Sequence, residues 1–131
     1  MTEDTRDYDA ALDEAERLLG FRLERFLGTA PTEPENADDF KRIATIQAFG
    51  DAWPRTDRLD TRTRAIVSVT IAATLGVLEP LRGQLRIALN NGVTKEELLE
   101  VITHLAFYGG WPVAMSAAQV AKKVFEGGDN K

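Results

Sequence analysis

The stretch from Leu81 to Ala117, LRGQLRIALNNGVTKEELLEVITHLAFYGGWPVAMSA, decides the fold class of this 131-residue chain. Asn91–Gly92 is a strong helix stop, because glycine adopts the left-handed conformation that commonly follows the last turn. Thr94 and Glu97 form the Thr-x-x-Glu pattern of a capping box, which starts a new helix. Gly109–Gly110 ends that helix in turn. The stretch therefore predicts consecutive helices joined by tight corners.

Glycine and proline divide the rest of the chain in the same way, and no window shows the period-two alternation of a strand. Asn36 is predicted to cap the second helix, with Asp38 and Asp39 in its first turn. The first helix should stop at Gly28, before a proline-containing linker at 29–35. The sequence predicts an all-α fold of about six helices, at 8–27, 37–49, 60–76, 80–91, 94–109 and 112–127.

Two of these helices, the third and the fifth, are apolar nearly all round. A helix without a polar face must be covered on every side. A single copy of 131 residues has too few helices to cover both, so we expect the protein to form a homo-oligomer.

The formal net charge of −5 is unevenly distributed. Residues 1–39 carry a net charge of −8, residues 40–95 carry +5, and residues 96–131 carry −2. The acidic total argues against nucleic acid as a partner, because phosphate binding needs a basic face. The basic middle favours a small anionic ligand or pairing with the acidic arm. The chain contains no cysteine, which excludes disulfides, thiolate nucleophiles and zinc–thiolate sites.

The length fits one domain, residues 1–131, with an acidic amino-terminal helix and linker at 1–35 and a helical core at 36–128. The first ten residues lack the basic and apolar regions of a signal peptide. The uncharged run from Ala65 to Leu78 is 14 residues, shorter than the roughly 20 residues that span a bilayer. We therefore expect a soluble cytoplasmic protein with no membrane partner.

A family resemblance is carried by two runs. Residues 49–69 read FGDAWPRTDRLDTRTRAIVSV, with a Gly-acid-x-Trp loop followed by Leu-Asp-x-x-Thr-Arg. Residues 81–117 add the Asn-Asn-Gly-Val-Thr turn, the Glu-Glu-Leu segment and the Phe-Tyr-Gly-Gly-Trp-Pro corner, in the same order and at similar separations. In these features the chain resembles the carboxymuconolactone decarboxylase family.

The resemblance implies an alkylhydroperoxidase-D-like helical domain that assembles into an oligomer, commonly a trimer or hexamer, and that needs no cofactor. It also implies that some relatives decarboxylate 4-carboxymuconolactone during the breakdown of aromatic compounds. Another branch of the family uses a Cys-x-x-Cys pair with a glutamate and a histidine. That chemistry is excluded, because thiol exchange requires sulfur, and Ala65 stands about where the glutamate would fall.

Gln84 is a second departure from the family pattern. Many decarboxylase members read Leu-x-x-His-Leu-Arg where this chain reads Leu81-Arg82-Gly83-Gln84-Leu85-Arg86. Glutamine can hydrogen-bond but cannot exchange a proton near pH 7. The chain's single histidine, His104, is a candidate to supply that acid–base group, or alternatively a structural residue of its helix.

The remaining candidates follow from what decarboxylation needs. A retained carboxylate needs a cation, for which Arg64 and Arg86 are candidates, although each is also a candidate for surface ion pairs. Tyr108 is a candidate donor to a developing enolate oxygen, or a core residue. Trp53 and Trp111 are expected to wall a dry pocket or to anchor a corner. We expect no metal, since one imidazole and no thiolate make a poor ligand set.

The leading functional hypothesis is a cofactor-free lyase resembling 4-carboxymuconolactone decarboxylase, acting on a small carboxylated lactone or cyclic acid. Gln84 favours one alternative, an isomerase or cyclase on the same scaffold. A third hypothesis is a non-catalytic oligomeric protein that binds a ligand. The substrate and the exact oligomer remain open at this point.

Overall fold

The computed structural model describes residues 5–20 and 36–127. Over these residues the fold is all-α, as predicted, and contains no strand. A π-helical segment, Ile46–Ala52, follows the second of the six α-helices. The helices are α1 Thr5–Leu19, α2 Ala37–Thr45, α3 Thr61–Leu75, α4 Leu78–Asn90, α5 Lys95–Gly109 and α6 Trp111–Phe125. The chain divides into two compact units at residues 60 and 61, which are described separately; the single domain stays a prediction.

In the amino-terminal unit, α1 packs against the π-helical segment. Its buried side is formed by Ala11, Leu12, Ala15, Leu18 and Leu19. The predicted helix at 8–27 is interrupted at Gly20, which takes a φ of 86°, and α1 ends one residue earlier. The predicted end at residue 27, the stop at Gly28 and the linker at 29–35 lie outside the described residues.

The second helix begins directly after Asn36, as predicted, with Asp38 and Asp39 in its first turn. The Asn36 side chain makes no capping hydrogen bond. The predicted loop from residue 50 is wrong at its start. Helical hydrogen bonding continues past Gly50 in the wider π form. The Trp53 N–H donates to the carbonyl of Ala48, five residues earlier.

The carboxy-terminal unit is a bundle of α3 to α6. Within it α3 and α6 each pack against α4 and α5, and they also pack against each other. The predicted boundaries are confirmed here to within about two residues. Gly76 ends α3 with a φ of 73°, and Gly110 forms the corner between α5 and α6 with a φ of 101°.

Helix α3 turns its small side chains into this bundle and its large ones away. The buried positions are Ala65, Val69, Ala72 and Ala73. Val67, Ile71 and Leu75 follow one another at helical spacing and are exposed. The apolar surface predicted for α3 therefore has no cover among the described residues. No helix among the residues described is long and apolar enough to cross a membrane.

Candidate functional site

An open groove of about 400 Å³ lies between α3 and α5. Its floor is apolar, and three titratable side chains of α5 stand along it. A volume of this size suits a small organic molecule. The groove is lined by Ile66 and Thr70 of α3 and by Glu97, Glu100, Val101, His104 and Leu105 of α5.

The α5 side of the groove follows from helical periodicity. Glu97, Val101, His104 and Tyr108 succeed one another at intervals of three or four residues, so they share one face of the helix. The His104 and Tyr108 rings lie 5.3 Å apart, centre to centre, at an angle of 40°. Tyr108 thus continues the row of groove residues one turn beyond His104, and the structure brings together these two predicted catalytic residues.

The amino-terminal end of the groove is fixed by a capping box and an ion pair. The Thr94 hydroxyl accepts a hydrogen bond from the Glu97 N–H at 3.0 Å, and the Glu97 carboxylate accepts one from the Thr94 N–H at 2.9 Å. Arg62 of α3 donates to the same carboxylate. The pKa of Glu97 is lowered from its ordinary value, mainly by the hydrogen bond from the Thr94 N–H and to a smaller extent by the Arg62 guanidinium. Glu97 is therefore an anion at neutral pH.

Three other predicted residues, Gln84, Arg64 and Arg86, do not line this groove. All three are half-buried. Gln84 and Arg86 lie on α4, which packs mainly against α3 and α6, so they are across the bundle from α5. The Gln84 Oε1 atom is buried and has no hydrogen-bond donor within the described residues.

The two tryptophans differ in environment. Trp53, in the amino-terminal unit, is buried, with 6% of its surface exposed. Trp111, at the start of α6, is exposed, and its ring meets Phe107 edge-on at 5.8 Å. The structure places neither in the lining of the groove.

Glu97 and Glu100 were not predicted as site residues from the sequence. Acidic residues at the start of a helix are usually first-turn charges or part of a solvated face, and Glu97 does lie in the first turn of α5. The available signal was their spacing, since Glu100 is four residues before His104 and Glu97 is seven before it. That spacing places both carboxylates on the side of α5 that carries the imidazole.

The groove combines an acid–base group with fixed negative charge. An imidazole can donate or accept a proton near neutral pH, and the apolar floor excludes water from part of a bound molecule. The two carboxylates disfavour an anion beside them unless a cation holds it. No group of three or more metal-binding side chains occurs in the part of the chain that the structure describes.

These features define an all-helical, cysteine-free protein with an acid–base groove on its bundle. Residues 38–123 match the sequence model of the Carboxymuconolactone decarboxylase family, and the chain belongs to this family. The resemblance inferred from the sequence is thereby confirmed.

Two relatives have names that describe a reaction. A 4-carboxymuconolactone decarboxylase of Acinetobacter baylyi is 39% identical over 88 residues, 67% of this chain and 65% of the relative. The chain thus spans slightly less than two thirds of that relative's length. The nitrosuccinic acid decarboxylase npaB of Metarhizium robertsii is 32% identical over 125 residues, 88% of this chain and 87% of the relative.

Proposed function

We propose that this protein decarboxylates a small acid in which the departing carboxylate is activated by an electron-withdrawing group. One observation carries the proposal: two relatives similar over most of the chain are both named decarboxylases, although their acids differ. One acid is a carboxylated lactone and the other carries a nitro group. Both can accept the electron pair that carbon dioxide leaves behind.

The reaction needs three things from the protein. The carbon–carbon bond to the carboxylate breaks, carbon dioxide departs, and the electron pair moves into the lactone or nitro group. Donors must stabilise the oxygen on which the negative charge develops. A proton must then be returned to carbon. Because the electron sink belongs to the substrate, we propose that no cofactor takes part.

We assign these roles to candidate residues on both sides of the bundle. Because α4 lies across one copy from α5, we propose that Gln84 and Arg86 meet the same substrate as His104 and Tyr108 only where two copies of the chain come together. Arg64 or Arg86 holds a carboxylate that is retained, since a guanidinium matches it with two parallel hydrogen bonds. We propose that Gln84 donates an amide N–H to the developing enolate, while its buried Oε1 atom, which has no donor within the described residues, accepts a hydrogen bond from a bound water. Tyr108 is a second donor, and His104, directly or through a water, returns the proton.

Because Gln84 stands where many relatives have a histidine, we propose that His104 transfers the proton. An amide keeps the hydrogen bonds that a histidine would make at this position but has no proton to exchange near neutral pH. We propose that Trp111 helps to exclude water from the reacting groups. We further propose a cytoplasmic homo-oligomer, a trimer or hexamer, that acts on a small anion and has neither nucleic acid nor membrane as partner.

The test is release of carbon dioxide from 4-carboxymuconolactone and from nitrosuccinic acid, by wild type and by Gln84→His. The proposal predicts turnover of at least one acid by wild type. Gln84→His should add a dependence on pH near the ordinary histidine pKa of about 6.5. Consumption of either acid without carbon dioxide would instead favour an isomerase or cyclase. Binding without consumption would favour a non-catalytic ligand-binding protein.

A further inference from the structure

We infer that the corner between α5 and α6 is the surface on which a second copy of this chain packs, and that this contact covers His104 and Tyr108. We call it the aromatic corner and define it as Phe107, Tyr108, Trp111 and Met115. The surface is inferred from the fold. Its catalytic consequence rests on the proposed decarboxylase function.

The aromatic corner carries four exposed aromatic and apolar side chains where α5 meets α6. Phe107 is 72% exposed, Tyr108 83%, Trp111 55% and Met115 57%. Phe107 contacts Trp111 at 5.8 Å between ring centres, and Met115 follows Trp111 by one turn of α6. Isolated exposed apolar residues need no explanation, but a contiguous group of this kind marks an interaction site.

The charge pattern identifies the occupant. Residues 101–121 contain no aspartate, glutamate, lysine or arginine. Two copies can therefore bring their corners together without burying a charge, which is unfavourable when the charge has no partner. A basic or acidic partner would find no complementary charge here, and an anionic membrane would find no cation. A second copy fits best.

The area is sufficient to contribute to a stable contact. Aromatic side chains bury about 150–250 Å² each, so at these exposures the corner offers on the order of 500 Å². A standard interface covers roughly 800 Å² per partner, so the corner supplies more than half of it. The exposed row of Val67, Ile71 and Leu75 on α3 provides a further apolar surface on the same unit.

Covering this corner would complete the site. An exposed tyrosine hydroxyl competes with water for a developing enolate, and its hydrogen bond is weak in so polar a medium. A second copy seated on Tyr108 removes that water and seals the end of the groove beside His104. One copy therefore places His104 beside Tyr108, and the second copy supplies their dry environment.

Sedimentation velocity on the full chain tests the surface with a matched pair of variants. Met115→Glu places a charge in the aromatic corner. Ser116→Glu places the same charge on the next residue of α6, which is also exposed but lies about 100° further around the helix axis. Wild type and Ser116→Glu should be oligomers at micromolar concentration. Met115→Glu should dissociate, with a dissociation constant at least tenfold higher. A monomeric wild type, or equal behaviour of the two variants, would overturn the inference.

Quenching of tryptophan fluorescence by acrylamide provides a second readout that does not depend on activity. Trp111 should be protected in the wild-type oligomer and accessible in Met115→Glu, while the buried Trp53 stays protected in both. Unchanged quenching in Met115→Glu would contradict the inference. An oligomer that depends on Met115 but releases no carbon dioxide would refute the proposed function alone. Full activity in a monomer would refute only the inference that a second copy must cover His104 and Tyr108.

Discussion

Arg62, in the first turn of α3, donates a hydrogen bond to Glu97, in the first turn of α5. The pair joins the two helices that form the groove, at the end opposite Tyr108. The same Glu97 carboxylate closes the capping box with Thr94. One side chain therefore starts a helix, joins it to its neighbour and lines the candidate site.

The first prediction concerns acid stability. Because the folded pKa of Glu97 is lowered, its carboxylate stabilises the fold above the unfolded value of about 4.3. That contribution is lost as the pH falls through the lowered folded pKa. Wild type should have a higher urea midpoint than Glu97→Gln at pH 7, and the difference should shrink at pH 3. Glu96→Gln, in the same turn, is the control. A difference that does not change with pH would contradict this assignment.

The second prediction isolates the cap. Thr94→Ala removes the hydroxyl that accepts the Glu97 N–H, which should cost about 1 kcal/mol of unfolding free energy. Thr94→Ser keeps an oxygen at that place and should lie close to wild type. Chemical denaturation of both variants measures the difference. An equal loss of unfolding free energy in the two variants would mean that the methyl group of Thr94 matters more than its hydrogen bond.

The third prediction compares two glycines. A Cβ added at Gly83, inside α4, meets nothing within 4 Å, so Gly83→Ala should raise stability by about 0.5–1 kcal/mol. Gly110 has a φ of 101°, and Gly110→Ala should be destabilising because an alanine is strained in that region. The midpoint of thermal unfolding should rise in Gly83→Ala and fall in Gly110→Ala. A loss of stability in Gly83→Ala would show that the space beside α4 is occupied.

The sequence predicted the carboxy-terminal bundle well because its signals are local. The capping box of Thr94 and the glycine stops act within one turn, and the structure reproduces them. The π-helical segment was not predicted, because no residue type or spacing distinguishes a π-helix from an α-helix in the sequence, and Gly50 suggested a helix end. The groove was predicted only in part, since Arg62 and Glu97 are 35 residues apart and their pairing depends on how helices pack.

The fourth prediction tests which cation holds the substrate. Arg82 and Arg86 are one turn apart on α4, and Arg82 lies 3.5 Å from Glu79. Arg86→Met should raise KM about tenfold or more, in keeping with about 1.5–3 kcal/mol for a charged hydrogen bond, while Arg82→Met should change it little. Arg64→Met is the parallel test on α3. If all three variants kept the wild-type KM, neither Arg64 nor Arg86 would be the carboxylate clamp.

The most direct test of the decarboxylase assignment is the rate of carbon dioxide release by wild type and by His104→Gln, on whichever of the two acids the wild type consumes. Glutamine keeps much of the shape of histidine but cannot transfer its proton. If the protein is a decarboxylase that uses His104, we expect one carbon dioxide for each substrate consumed and a rate at least about a hundredfold lower in the variant. Equal rates in the two proteins, or no carbon dioxide from either acid, would contradict this expectation.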